Sequence, residues 1–201
     1  MKFLKENSYD IVRLFINQIG ITIFSIVVYL PAMVSLSDKP ELSSKVVFAI
    51  SAFATLFYLI LLYNTSWEYG SKDRMRADSG KITLFKPKGL IMSVIANIPN
   101  FLLSGLAIIL IVVYMTLGND GAYTAFGIFS SLTRFLSSMY IGMLQGIFSF
   151  LSSNAVEYLL WQTVGYFVLP IASVIVSHVG YTVGIHHIKI SSLLGFNKAK
   201  K

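Results

Sequence analysis

The sequence predicts an all-α integral membrane protein, and three observations carry the prediction. Hydrophobic side chains make up 55% of the 201 residues and charged ones only 12%, about half the roughly 25% usual in a soluble domain. Four segments are mostly apolar over about 20 residues, the length a helix needs to cross a hydrocarbon core of roughly 30 Å. Basic residues crowd at one set of ends of these segments, the bias that orients membrane helices. The chain therefore reads as a single polytopic membrane domain over 1–201.

The first span covers about 14–33. A basic stretch, Met1–Arg13, precedes it and the small residues Ser35 and Ser37 follow, as in a secretory signal peptide. Its apolar run exceeds the usual 7–15 residues of a signal-peptide core, so an uncleaved span is expected. The second span covers 46–66. The third, 97–117, lies inside Gly89–Asn119, 31 residues without an Asp, Glu, Lys or Arg. That run is longer than a perpendicular crossing needs. Lys88–Asn97 is expected to lie along the inner surface before Pro99 turns the chain inward, with Pro87 in its first turn. The fourth span, 158–180, carries Pro170 midway, where a lost helix hydrogen bond favours a kink.

The segment 122–156 is ambiguous. Phe135–Val156 has 22 residues without formal charge, enough to cross, but five are Ser, two are Gly, and Gln145 and Asn154 add polarity. Loop charge arbitrates. With four spans and both termini inside, 13 basic residues lie inside and three outside, namely Lys39, Lys45 and Arg134. A fifth crossing would make the split nine to seven, which the positive-inside bias disfavours. Four spans are expected, with 122–156 forming outer-leaflet or re-entrant helices. A six-span variant keeps the charge split but asks Gly121–Thr133, thirteen residues, to cross. Trp67, Tyr9 and Tyr181 fall at the inner boundary and Trp161, Tyr29, Tyr114, Tyr123 and Tyr158 at the outer one, as an aromatic belt.

Membrane helices associate where small residues let backbones approach. Ser173, Ser177, Gly180 and Gly184 share one stripe of the fourth span, and Gly142 and Gly146 form a second small pair beside Gln145. Intramolecular packing is the expected use of both. The polar residues within spans, Asn17, Gln18, Asn97, Asn100, Gln162 and His178, are expected to form inter-helix hydrogen bonds or to sit near the headgroups.

Chemistry is sparse. Cysteine is absent, which excludes disulfides, thiolate sites and S-palmitoylation. The net charge of +7 interrupts apolar runs instead of forming a basic face, so nucleic acid is not an expected partner. His178, His186 and His187 lack the i, i+4 spacing of a helical zinc site, and a composite with Glu68, Asp73 and Asp78 is a remote alternative; no metal and no cofactor are expected. "KDRMRADSG" gives Asp73 and Asp78 five apart, which does not match the lipid phosphatidyltransferase pattern. "FLLSG" around Ser104 lacks the first glycine of an intramembrane serine protease, and no phosphate loop ends in Gly-Lys-Ser/Thr. The chain is not expected to be an enzyme; a lipid-modifying one is the weakest of the alternatives.

Two groups remain as candidate sites. Arg134 and Glu157 flank Phe135–Val156; a hairpin there would bring them together as an ion pair beside Tyr158 and Trp161, with Gln145 nearby, either as a ligand site or as structure. The strip "WEYGSKDRMRADSGKITLFKPKG", 67–89, holds six basic and three acidic residues. Its Lys and Arg suit anionic lipid at the inner face. Glu68, Lys72, Asp73, Arg74, Arg76, Asp78 and Lys81 would make a folded loop with pairs such as Asp73 with Arg76 or Arg74 with Asp78, open to a protein partner. In size and hydropathy the chain resembles the substrate-binding subunits of energy-coupling-factor vitamin transporters, six-helix proteins. That resemblance implies a substrate-binding transport subunit as the alternative function. The leading expectation is a small non-catalytic accessory or binding subunit of a larger assembly, integral to a bacterial plasma membrane, with both termini cytoplasmic.

Overall fold

The computed structural model describes residues 2–149 and 154–186, which are helical apart from short connections and contain no strand. Seven α-helices follow in order: α1 (Lys2–Ser35), α2 (Pro40–Asp78), α3 (Lys88–Ala96), α4 (Ile98–Leu117), α5 (Asp120–Leu136), α6 (Ile141–Phe148) and α7 (Ala155–Ile185). Among the described residues α1, α2, α4 and α7 are long and apolar enough to span a bilayer, the four expected from sequence. His187, Lys189, Lys198, Lys200 and Lys201 lie outside the described residues.

The helices outrun their apolar segments. α2 continues without a break through Trp67–Asp78, so 67–78 is helix and not the expected loop. Lys72, Arg74 and Arg76 are good helix formers, and the first residue in the left-handed region is Gly80, at φ 70°. At 39 residues α2 measures about 58 Å, nearly twice a hydrocarbon core. α1 likewise begins twelve residues before position 14.

α2 and α7 form the main contact of the bundle. They run parallel, with Ser66 level with Ser177 and Gly70 level with Tyr181, and little side chain lies between them because the stripe of small residues read from α7 faces α2. Ser66 and Ser177 share a hydroxyl hydrogen bond of 2.7 Å. A Cβ added at Gly180 would lie 2.6 Å from the Tyr63 carbonyl oxygen. One at Gly184 would collide with the Trp67 carbonyl, and one at Gly70 with that of Tyr181. The expected intramolecular use of the stripe holds, and Gly70 is the partner on α2.

The run before the third span divides as expected. α3 ends at Asn97 and Pro99 occupies the first turn of α4, where its missing N–H breaks no helical bond. α3 is not a free surface helix, because Gly89, Met92, Ser93 and Ala96 are buried against α1 and α7.

Among the described residues of 122–149, α5 and α6 form a hairpin whose apex is internal. α5 packs along α4, and the 3-10 turn Ser138–Tyr140 between α5 and α6 is buried against α1 and α2. α6 then returns along α2, with the Gly142 N–H donating to Ser51 Oγ at 2.9 Å. Its eight residues reach about 12 Å, too short for a sixth crossing. A helix that ends inside a bundle leaves carbonyls unpaired. Here the Leu136 carbonyl accepts from Thr22 Oγ1 at 2.9 Å and Gln18 Nε2 at 3.4 Å, and the Met139 carbonyl from Thr55 Oγ1 at 3.4 Å.

Replacing Gly184 with Val is expected to cost about 3 kcal/mol or more, since backbone must move. Gly20 has open space around it, and Gly20→Ala should be neutral or gain up to about 1 kcal/mol. Thermal unfolding of the two purified variants in detergent measures the contrast.

Candidate functional sites

Three polar clusters occupy the bundle, and they differ in how completely their groups are partnered. The first is an amide cluster. Gln18 and Asn100 exchange two side-chain hydrogen bonds of 2.9 Å each, Asn100 Nδ2 also donates to Asn97 Oδ1 at 3.0 Å, and Asn97 donates to the Ser93 carbonyl at 2.9 Å. Ser137 Oγ reaches Asn100 Oδ1 at 3.4 Å. Every amide here has its partners, which makes the cluster a structural tie between α1, α4 and the hairpin apex.

The second cluster joins the far end of α2 to α3 and α7. Asp73, 4% exposed, accepts from Lys88 Nζ at 2.7 Å and from the Tyr181 hydroxyl at 2.8 Å. The expected pair of Asp73 with Arg76 is therefore replaced: burial of Asp73 on the face toward α7 turns it to Lys88, fifteen residues on, and Arg76 faces outward. The pair of Arg74 with Asp78 forms at 3.0 Å, and Glu68 takes Lys72 at 2.6 Å and Arg13 at 3.6 Å. Tyr181, read from sequence as a belt residue, is fully buried and belongs to this cluster. Two clefts, of about 490 Å³ and about 230 Å³, open beside it and share Asp73 and Arg76 as walls; Glu6 and Lys88 line the larger, Asp10 and Arg13 the smaller.

Electrostatics here are those of groups beyond the apolar stretches 14–33 and 46–66. Burial raises the Asp10 carboxyl above its ordinary value, against the pull of the Lys88 charge. The hydrogen bond from Lys72 lowers that of Glu68, and burial pushes the Tyr69 hydroxyl up to about 12. The Arg13 guanidinium lies 5.8 Å from the Tyr69 ring centroid. Both Glu68 pairs and the Arg74 pair are about half exposed, so each contributes roughly 0–1 kcal/mol. Only Asp73 with Lys88 is buried.

The third cluster surrounds Arg134. Counted from sequence as an outer charge, it lies near the inner end of α5, and its Nη2 donates to Gln162 Oε1 at 2.8 Å, in the third turn of α7. Gln162 Nε2 reaches the Tyr158 hydroxyl at 3.4 Å. Arg134 Nε and the Tyr166 hydroxyl are both buried without a hydrogen-bond partner. An unmatched buried donor costs about 1–3 kcal/mol, more when charged.

The four candidates grouped from sequence thus separate. Arg134 turns inward, whereas Gln145, Glu157 and Trp161 stay on the surface. Arg134 bonds Gln162 in place of the expected ion pair with Glu157, because the hairpin carries it past the start of α7. Tyr166 carried no sequence signal, being one aromatic among many. Comparison with protein families, with curated proteins and with solved structures gives no match to this chain.

Removing one member of the buried pair, by Asp73→Ala or Lys88→Met, is expected to cost about 3–5 kcal/mol by leaving a bare buried charge. The double variant should cost clearly less than the two added together. Denaturation of all three in detergent reads the coupling, and additive losses would mean that the pair does not interact.

Proposed function

We propose that the chain is a non-catalytic accessory or binding subunit embedded in a bacterial plasma membrane, which docks a cytoplasmic protein through the extension of α2. One observation carries this reading: Trp67–Asp78 is a helix projecting beyond the apolar segment, braced at its base by Asp73, Lys88 and Tyr181. Retaining orientation needs only basic residues near the headgroups. A braced helix adds a fixed surface, on which Lys72, Arg76 and Asp78 are exposed beside Met75, with Lys81, Ile82 and Phe85 in the following turn. Lys81 and Lys86 remain free to meet anionic lipid, each gaining on the order of 1 kcal/mol.

Membrane embedding is supported by where apolar surface lies. Large side chains such as Ile16, Val27, Phe53, Ile60, Leu102, Ile109, Val168 and Ile175 are exposed around the bundle, while Gln18, Thr55, Asn100 and Ser173 are buried in it. Water would oppose that arrangement and lipid favours it. With Arg134 inside the bundle, Lys39 and Lys45 are the basic residues at the end remote from the α2 extension, which sharpens the charge asymmetry and favours cytoplasmic termini.

The non-catalytic reading is supported by how reactive side chains are used. Ser104 donates to the Asn100 carbonyl at 2.6 Å, Ser173 to that of Pro170 at 2.7 Å, and Asp73 holds Lys88. A second reading, a substrate-binding subunit of a transporter, is favoured by the incompletely partnered cluster at Arg134.

Reversing two charges together, Arg74→Glu with Arg76→Glu, is expected to reduce recovery of a cross-linked protein partner from intact membranes about tenfold. Topology reporters at 122, 154 and the carboxy terminus should stay unchanged. Unaltered cross-linking would remove the docking role, and turnover of a lipid or peptide by the pure chain would end the non-catalytic reading.

A further inference from the structure

The hairpin carries a full positive charge into the bundle and gives it a neutral partner. The four ion pairs among the described residues leave Arg134 out, and its hydrogen bond goes to the neutral amide of Gln162. A long basic side chain at membrane depth ordinarily reaches back toward the headgroups. Arg134 does the opposite: its Nε is buried, and its Nη2 is tied to a glutamine only 3% exposed. The Tyr166 hydroxyl, on a residue 1% exposed, is a second buried group without a partner. Tyr166 lies four residues after Gln162 on α7, so the two share one helix face.

We propose that Arg134, Gln162 and Tyr166 form a binding site for one phosphate or carboxylate group, delivered by an anionic lipid or by a small solute from the side on which α5 and α7 begin. A guanidinium has five donors in a rigid plane, and its Nε and one Nη together match two oxygens of such a group. Gln162 fixes the plane by accepting from Nη2. Tyr166 offers a further O–H, and an anion satisfies both orphaned groups at once while neutralising the charge. Arg134 as a whole residue is only partly buried, although its Nε is enclosed. Its neighbour Phe135 is 64% exposed and Trp161, beside Gln162, 49%, leaving apolar surface for acyl chains next to the polar group. Gln162 lies seven residues into α7, roughly 10 Å from its start, a depth that a headgroup reaches by dipping modestly below the interface. The site rests on membrane embedding and is independent of docking at the α2 extension.

Native mass spectrometry of the full chain in detergent tests this with three probes: phosphatidylglycerol, diacylglycerol of the same chains, and inorganic phosphate. The wild type should retain one phosphatidylglycerol and no diacylglycerol. Arg134→Gln should lower that occupancy about tenfold or more, and Tyr166→Phe about threefold, while Lys39→Gln, an exposed charge outside the site, leaves it unchanged. Phosphate that displaces the lipid, or that raises the unfolding temperature of wild type but not of Arg134→Gln, assigns the site to a small solute. Lipid retention insensitive to phosphate assigns it to a headgroup. Equal occupancy in wild type and Arg134→Gln overturns the proposal, as does binding of none of the probes. If Arg134→Gln does not fold, unchanged occupancy in Tyr166→Phe overturns it.

Discussion

Direct backbone contact between α2 and α7 sets the register on which the other sites depend. Two apolar helices gain little by meeting in lipid, so the contact must come from close approach and from polar groups. Gly70, Gly180 and Gly184 remove the side chains that would hold the axes apart, and Ser66 with Ser177 adds a hydrogen bond at the same level. Once Gly184 faces Trp67 and Gly70 faces Tyr181, the Tyr181 ring is carried to Asp73 and packs over Gly89 of α3. A slip by one helical turn would separate Tyr181 from Asp73 and leave a buried carboxylate with one partner fewer. The charge lock therefore reports the register that the glycines permit.

The hairpin of α5 and α6 obeys a second constraint, that backbone groups inside a bundle must be satisfied by something other than water. Thr22, Gln18 and Thr55 serve the carbonyls at its apex, and Ser51 serves the first N–H of its return. Three of these four hydroxyl and amide side chains sit in the middle of segments whose apolar pattern alone gives them no role. Their spacing makes sense only against a chain end that arrives from elsewhere in the sequence.

That difference explains what the sequence makes legible. The four long helices follow from apolar length, and the α7 stripe from the spacing of its small residues, because both are properties of one helix. The path of 122–156 depends on donors placed more than eighty residues away, so charge counting limited it to two arrangements without choosing between them. Trp67–Asp78 was expected to be a loop since mixed charge with Gly70 and Gly80 resembles one. Gly70 is there for its missing Cβ, pressed against α7, and only Gly80 needs a left-handed backbone. Asp73 with Lys88 and Arg134 with Gln162 are long-range pairs that neither helical nor loop spacing indicates.

Asp73 and Arg134 both carry charge into the helical bundle, and their surroundings distinguish their roles. Asp73 has a counter-ion and a hydroxyl within 2.8 Å, so its charge is neutralised by the chain itself and adding a ligand would break contacts. Arg134 has one neutral acceptor and an unpaired Nε, and an unpaired tyrosine hydroxyl belongs to the residue one turn beyond that acceptor. Arg134 Nε is the charged donor among the buried side-chain groups that lack a partner, which are otherwise hydroxyls and the His178 ring. The imbalance is chemical and directional: it lacks acceptors, not donors, and an oxyanion is the group that restores it.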